Sequence, residues 1–514
     1  MNTSNTNEFS LLGHKPALFV LFFTEMWERF SYYGMRAIFV LFLVKSWDWS
    51  NERAVGLFAI YTSTVYLTPL IGGIIADKLL GYQKAVALGA LAMTLGHASM
   101  AFETEMTLYI GIGLLIIGNG LFKPNVTSIV SGLYDKYPER KDGAYTIFYM
   151  GVNAGGFLGV LLCGFLASNL SYSWGFGLAG IFMFLGTLQF WFGRGIFESV
   201  GKEPSKKVDL SDAIEGEELT NDDTEIEEVP ARVQRDRYIV VGLLAFFTVF
   251  FWAAFEQAGG SMTIFASDYT QRTLEGNAAT IFKIVDVLVS TVPLIIISWV
   301  LFKLFGQTFR KISLSNIILG ISFLSIWAIV LWKLSIIIPK DNAEIEASWF
   351  LILNSLFIIF LAPLFSKWWE SKYNPSAAVK FGIGMLLLGI GFGALAYGAS
   401  TIPQGAKTAS VSLIWLVIAY LFHTMGELCV SPVGLSYVSK LVPAKKIGMM
   451  FGIWYLVNFV GNLTAGTVGK YIDTIVEQFS MSHFFLIFTI IPGVVGLIFL
   501  VLNPIMKRLM HGIR

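Results

Sequence analysis

The chain has 514 residues, 55% of them hydrophobic and only 14% charged, with a formal net charge of +1. A soluble domain usually carries roughly a quarter charged residues, so this composition excludes a string of ordinary soluble domains. With a mean hydropathy of +0.67, it argues instead for an integral membrane protein.

Fourteen apolar helices are predicted in chain order, near 17–45, 54–77, 83–103, 106–134, 143–169, 174–197, 238–266, 281–305, 313–338, 348–370, 377–400, 409–439, 446–472 and 481–507. Each is long enough for the roughly 20 residues that cross the hydrocarbon. The run 143–193 carries no charge over 51 residues and divides into two spans near Ser173. A β-barrel would alternate over about ten residues per strand, whereas these runs are continuous, so the fold class is an all-α membrane protein. Cys163 and Cys429 lie far apart in apolar runs and give neither metal spacing nor a disulfide framework; they read as small buried hydrophobes.

The segment from Met1 to Ser10 is polar without a basic n-region, and the first span holds Glu25, Glu28 and Arg29, which no cleavable signal peptide carries. With the amino terminus inside, Lys78, Lys84, Lys136, Arg140, Lys141, Lys303, Arg310, Lys311, Lys367, Lys372, Lys380, Lys440, Lys445 and Lys446 fall in or beside inner loops. The outer connections hold far fewer. Both termini are therefore expected in the cytoplasm. Residues 198–237 hold thirteen acidic and six basic residues, a composition that buries too little surface to fold alone. They read as a cytoplasmic linker between an N-terminal six-helix half, 1–197, and a C-terminal half, 238–514, that includes an extra apolar pair at about 281–338.

A charge at the bilayer centre costs roughly 2.5–3.5 kcal/mol on insertion scales and marks a functional candidate. On the first helix, Glu25, Glu28, Arg29, Tyr32, Tyr33 and Arg36 fall on one helical face, which must look into a wet cavity or the bundle interior. Lone charges follow at Lys123, Glu256 and Glu427 on other helices. Arg36 lies 21 residues past Lys15 and Glu256 lies 19 past Arg237, each about 30 Å along its helix from the inner side at 1.5 Å per residue. Lys123 lies 18 residues past Glu105 and Glu427 lies 20 past Lys407, both counted from outside. The depths match Arg36 with Glu256 as an outer gate and Lys123 with Glu427 as an inner one. Four acids face three bases, so one proton neutralises the set, which suits a proton-coupled carrier of a zwitterion. His423, one turn before Glu427, reads as a packing histidine, and Asp286, early in its apolar helix, as interfacial.

The motifs resemble a known family. Glu25-Met-Trp-Glu28-Arg29-Phe30-Ser-Tyr32-Tyr33-Gly34 is similar to the ExxERFxYYG signature of proton-dependent oligopeptide transporters (POT/PTR), a branch of the major facilitator superfamily. The resemblance continues through Gly72-Gly73-Ile-Ile-Ala-Asp77, Gly118-Asn119-Gly120-Leu-Phe-Lys123-Pro124-Asn125, Phe148-Tyr149-Met-Gly-Val-Asn153, Phe251-Trp252-Ala-Ala-Phe-Glu256-Gln257, Gly426-Glu427 and Trp454-Tyr455. It implies two six-helix bundles with an inserted hairpin, and import of di- and tripeptides by alternating access. On that resemblance Glu25, Glu28 and Arg29 handle the proton, Arg36 and Lys123 take the peptide carboxylate, and Glu427, Asn153 and Asn354 take its amino group. Tyr32, Tyr33, Tyr66, Trp252 and Trp454 would line the side-chain pockets.

The sequence departs from the family in two places. Gly155 is followed by Gly156 where the family has a serine. The extra pair, 281–305 and 313–338, falls after the Glu256 helix, whereas the fourteen-helix bacterial members carry theirs between the sixth and seventh helices; here it is expected to be peripheral and lipid-facing. The expected partners are peptide, protons and the lipid bilayer of the cell membrane, with no nucleic acid. No cofactor, metal or enzymatic activity is expected, the proton gradient supplying the drive. The rival readings are a relative carrying nitrate or another small anion, to which Glu427 would offer nothing, and a peptide-binding membrane receptor that does not transport.

Overall fold

A computed structural model of the chain describes residues 9–137, 140–202, 204, 230–442 and 447–513. Met1–Glu8, most of the acidic stretch, and Lys445 and Lys446 of the last inner loop lie outside the described residues. The main helices are α1 Pro16–Lys45, α2 Asn51–Ile75, α3 Tyr82–Met100, α4 Glu105–Leu133, α5 Lys141–Asn169, α6 Tyr172–Gly193, α7 Ala231–Phe255, α8 Ser261–Asp268, α9 Gly276–Thr308, α10 Ser313–Ile337, α11 Ile352–Glu370, α12 Ala377–Gly398, α13 Ile414–Leu441, α14 Ile447–Gly469, α15 Ile472–Gln478 and α16 Met481–Leu509. Every predicted span coincides with one of these, the 238–266 span being broken into α7 and α8 by a tight 3-10 turn at Glu256–Gly259. Among the described residues, eleven helical stretches are long and apolar enough to cross a membrane. Helix α1 is not one of them because its own buried charges dilute its apolar character. The acidic stretch ends earlier than its composition suggests: residues 231–237 are already the first turns of α7.

The chain divides into two compact units. The first comprises Met1–Trp47, Leu67–Lys207 and Arg272–Ile352. Within it α1 packs on α5 and α6, α3 on α4 and α6, and α10 on α6. The α1–α5 seam is made by Gly151, Gly155 and Gly159, spaced one turn apart. A Cβ at Gly155 would stand 2.1 Å from the Met26 carbonyl oxygen, and one at Gly159 2.1 Å from that of Phe30. Small residues at this spacing let two backbones touch, the usual packing device where lipid removes a hydrophobic drive between helices.

The second unit comprises Asp48–Tyr66, Val208–Gln271 and Leu353–Arg514. In it α7 packs on α14 and α16, and α12 on α16 and α13. The start of α2 is tied in by Asn51 donating to Asp473 at 2.8 Å and by Gly466, where a Cβ would meet Ala59 at 1.8 Å. A short parallel pair joins β1 Thr270–Gln271 to β4 Val411–Ser412, both within this unit.

The extra pair, α9 and α10, belongs by its contacts with the first unit, not with the C-terminal half in which chain order places it. One face of α9 is exposed and apolar, with Ile281, Ile284, Leu288, Ile295 and Trp299 all open, as a lipid-facing surface requires. The opposite face buries Asp286, Ser290 and Leu294. Ser10 donates to Gln307 at 2.8 Å, which puts the turn end of the hairpin on the same side as the start of α1. At the other end, β2 Thr273–Leu274 pairs antiparallel with β3 Ala343–Glu344 and closes the hairpin's base.

Candidate functional site

Helix α1 starts at Pro16, whose missing N–H and fixed φ suit a first turn. Spacings of three and four then set Glu25, Glu28 and Arg29 on neighbouring positions of one face. Arg29 Nε lies 2.9 Å from Glu25 Oε1 and 2.7 Å from Glu28 Oε2. All three side chains are at most 4% exposed. From α4, Asn119 Nδ2 donates to Glu28 Oε1 at 3.0 Å. Lys123, one turn further along α4, adds its charge to the fields at Glu25 and Glu28. One guanidinium is shared by two buried carboxylates on α1, and Lys123 from α4 supplies the second positive charge of the group. Glu25 Oε2 and Arg29 Nη2 are buried without a hydrogen-bond partner among the described residues, so the cluster has capacity for a proton or a polar ligand.

Around this triad, the Arg29 guanidinium stands 5.6 Å from the Tyr32 ring centroid, and the Tyr32 and Tyr33 rings meet edge-on at 5.1 Å. Gly156 gives Tyr33 its room: a Cβ there would meet the ring at 2.9 Å. The departure from the family signature at this position is thus the residue that seats the tyrosine. Arg36 is half-buried two turns on, and Asn153 is half-buried on α5, its amide donating to Tyr149 O at 3.0 Å.

The second unit gathers another group. Asn354 Nδ2 donates to Glu427 Oε2 at 2.9 Å and to Thr424 Oγ1 at 3.1 Å, so two residues assigned to an amino group are held together across α11 and α13. Glu256, 7% exposed, caps α7 and adds a like charge to the field at Glu427. A small cavity beside it is lined by Thr62, Glu256, Gln257 and Asn462, and the buried Asn462 Oδ1 has no partner among the described residues. Trp454 is 8% exposed, Trp252 and Tyr66 half-buried. Gly461 packs under Trp252 and Gly434 under Trp454. His423 is buried against the Phe392 ring at 4.4 Å, on the α12 side. Cys163 and Cys429 are buried thiols.

A third group was missed in the sequence. Asp286 is not at a water boundary but 1% exposed, ion-paired with the equally buried Lys333 of α10. Lys333 escaped notice because it closes an uncharged run. The depth comparison applied to the other buried charges would have found it: Asp286 lies near the start of α9 and Lys333 near the end of the antiparallel α10. No group of three or more metal-ligating side chains occurs among the described residues.

Two helical units, the first burying two carboxylates around a guanidinium and the second Glu256 beside Glu427, on helices long and apolar enough to cross a membrane, define a polytopic membrane protein. The POT family profile matches residues 83–214 and 320–485. An uncharacterized transporter of Bacillus subtilis (strain 168), YclF, is 34% identical, over 98% of this chain and 96% of that one. A di-/tripeptide transporter of Lactococcus lactis subsp. cremoris is 30% identical over the whole of both chains. The crystal structure of peptide transporter POT in complex with sulfate superposes with a TM-score of 0.73 at 27% identity, covering 98% of this chain and 97% of that one. The chain belongs to the POT family.

Proposed function

We propose that the protein is a proton-coupled symporter that imports di- and tripeptides by alternating access. The observation that carries this reading is that one unit buries a carboxylate–guanidinium cluster and the other holds the Asn354–Glu427 pair. The first offers proton capacity beside cations, and the second an anionic, hydrogen-bonding seat for an ammonium. The peptide carboxylate falls to Arg36 and Lys123, which give charge-assisted bonds, and the amino group to Glu427, Asn354 and Asn153. Tyr32, Tyr33, Tyr66, Trp252 and Trp454 accommodate side chains. A small anion would leave Glu427 and Asn354 without a ligand. Di-/tripeptide transporters among the full-length relatives support the same substrate class.

Further parts of the proposal are placement in the cell membrane with both termini cytoplasmic, operation without cofactor or enzymatic activity, and closure by Arg36–Glu256 on the outer side and Lys123–Glu427 on the inner. Spin-label depth measurements that put the members of either pair at different levels would remove that gate. The central test is dialanine uptake into proteoliposomes under an imposed inward proton gradient. Accumulation that collapses with the gradient is expected; no uptake, or uptake indifferent to the gradient, would overturn the symporter.

A further inference from the structure

The Asp286–Lys333 pair is the centre of a larger group at the base of the hairpin. Lys333 Nζ also reaches Ser290 Oγ at 3.3 Å. The Trp349 indole donates to Asp286 Oδ1 at 3.2 Å, so both carboxylate oxygens of Asp286 are engaged. Three residues before Trp349 stands Glu346, half-buried between α10 and the end of α5. Its Oε1 is 3.5 Å from the Asn169 amide. Gly164 lets the α5 backbone close on this spot, since a Cβ there would come within 2.3 Å of Ser348 Oγ and 3.7 Å of Glu346 Oε2. On the outer side Arg272 lies 3.6 Å from Glu344 and donates to the Ile345 carbonyl at 2.9 Å.

The charges facing Glu346 are Asp286 from α9, Lys333 from α10, Glu344 from β3 and Arg272 from the chain before β2, while α5 contributes the neutral Asn169. Three carboxylates share two cations. Asp286 already holds Lys333, and Glu344 already holds Arg272. Glu346 is the acid left over.

We propose that Glu346, with the Asp286–Lys333 pair behind it, is a second proton-binding site, built by the hairpin and separate from the α1 cluster. Protonation leaves Lys333 wholly to Asp286 and lets the segment 343–352 settle on α5. Ionisation makes Glu346 compete for Lys333 and loosens that segment, which leads directly into the helix carrying Asn354. Burial, abetted by Asp286 and Glu344 and opposed by Lys333 and Arg272, pushes the Glu346 carboxyl up to about 7, so the site changes state near neutral pH.

The test needs no transport assay, so its outcome is independent of the symporter reading. Infrared difference spectroscopy of the purified full-length protein follows the protonated-carboxyl stretch against pH. A component with a midpoint near neutral is expected that Glu346→Gln removes while the signal of the α1 carboxylates stays. Glu344→Gln, at a side chain that is 71% exposed and tolerant of change, should lower the midpoint, and Arg272→Gln should raise it. Hydrogen exchange of 343–352, compared between wild type and Glu346→Gln at each pH, should coincide at pH 6 and run several-fold faster in wild type at pH 8. A Glu346 band that does not titrate between pH 5 and 9, or exchange that is equal at both pH values, overturns the proposal.

Discussion

At the scale of single residues, this protein gathers its few buried charges into mixed groups. Glu25, Glu28 and Arg29 form one on α1, with Lys123 adding its charge from α4, and Asp286, Lys333 and Glu346 form another at the hairpin base. A buried ion pair adds little net stability over a well-packed apolar pair, but stripping one partner strands a charge at about 3–5 kcal/mol. Lys333→Met is therefore expected to lower the detergent melting temperature steeply, because Asp286 keeps its charge among apolar neighbours. Asp286→Leu combined with Lys333→Met should recover most of that loss. A double variant as unstable as the single would mean that the pair holds the hairpin by something other than charge balance. Glu25, Glu28 and Arg29 were legible in the sequence, since an isolated charge in an apolar run is conspicuous. Asp286 read as interfacial, Glu346 lies among loop charges, and Lys333 sits at the edge of a run where a lysine normally snorkels to water. Burial there comes from α9 and the Trp349 turn folding over it, which no local pattern reports.

Elements were the easiest level to read and their partners the hardest. All fourteen spans follow from apolar length alone, because a bilayer leaves backbone groups no partner except their own helix. The assignment of α9 and α10 to the first unit did not follow, since chain order places them in the C-terminal half and the choice rests on how α10 packs against α6 and α9 against α1 and α5. The α1–α5 seam is a shape contact of the same kind, and it is what holds the α1 charges in register with α4 and α5. Gly155→Ala inserts a methyl where 2.1 Å separates the site from the Met26 carbonyl, so the helices must part. Overpacking of this sort costs about 1–3 kcal/mol. The variant is expected to melt several degrees lower and to weaken the Arg29-centred cluster, while Gly177→Ala, with nothing within 4 Å, serves as the neutral control. Equal melting of the two would show that the seam relaxes freely.

For the whole molecule, the net +1 conceals a division: residues 198–237 carry −7 and the remainder +8. The positive remainder is concentrated in the loops assigned to the inner side, and only a handful of charges are left for work within the membrane. Those are apportioned between the units. The proposed proton cluster and the proposed carboxylate ligands Arg36 and Lys123 lie in the first, and Asn354, Glu427 and Glu256 in the second. On the proposed mechanism a peptide engages both units, whereas the proton acts in one. Each ligand shifts the conformational equilibrium only by its differential affinity for the two states. Removing the proton's share should then leave the peptide's share standing. Glu25→Gln keeps the size of the side chain and its place beside Arg29 while fixing it neutral, as if permanently protonated. It is expected to abolish gradient-driven accumulation of dialanine by an order of magnitude or more, yet to retain counterflow of labelled against unlabelled peptide within about threefold of wild type, since exchange needs no net proton movement. Loss of both would make Glu25 a structural support of the cavity, and retention of both would move the coupling proton to Glu28 or to another carboxylate.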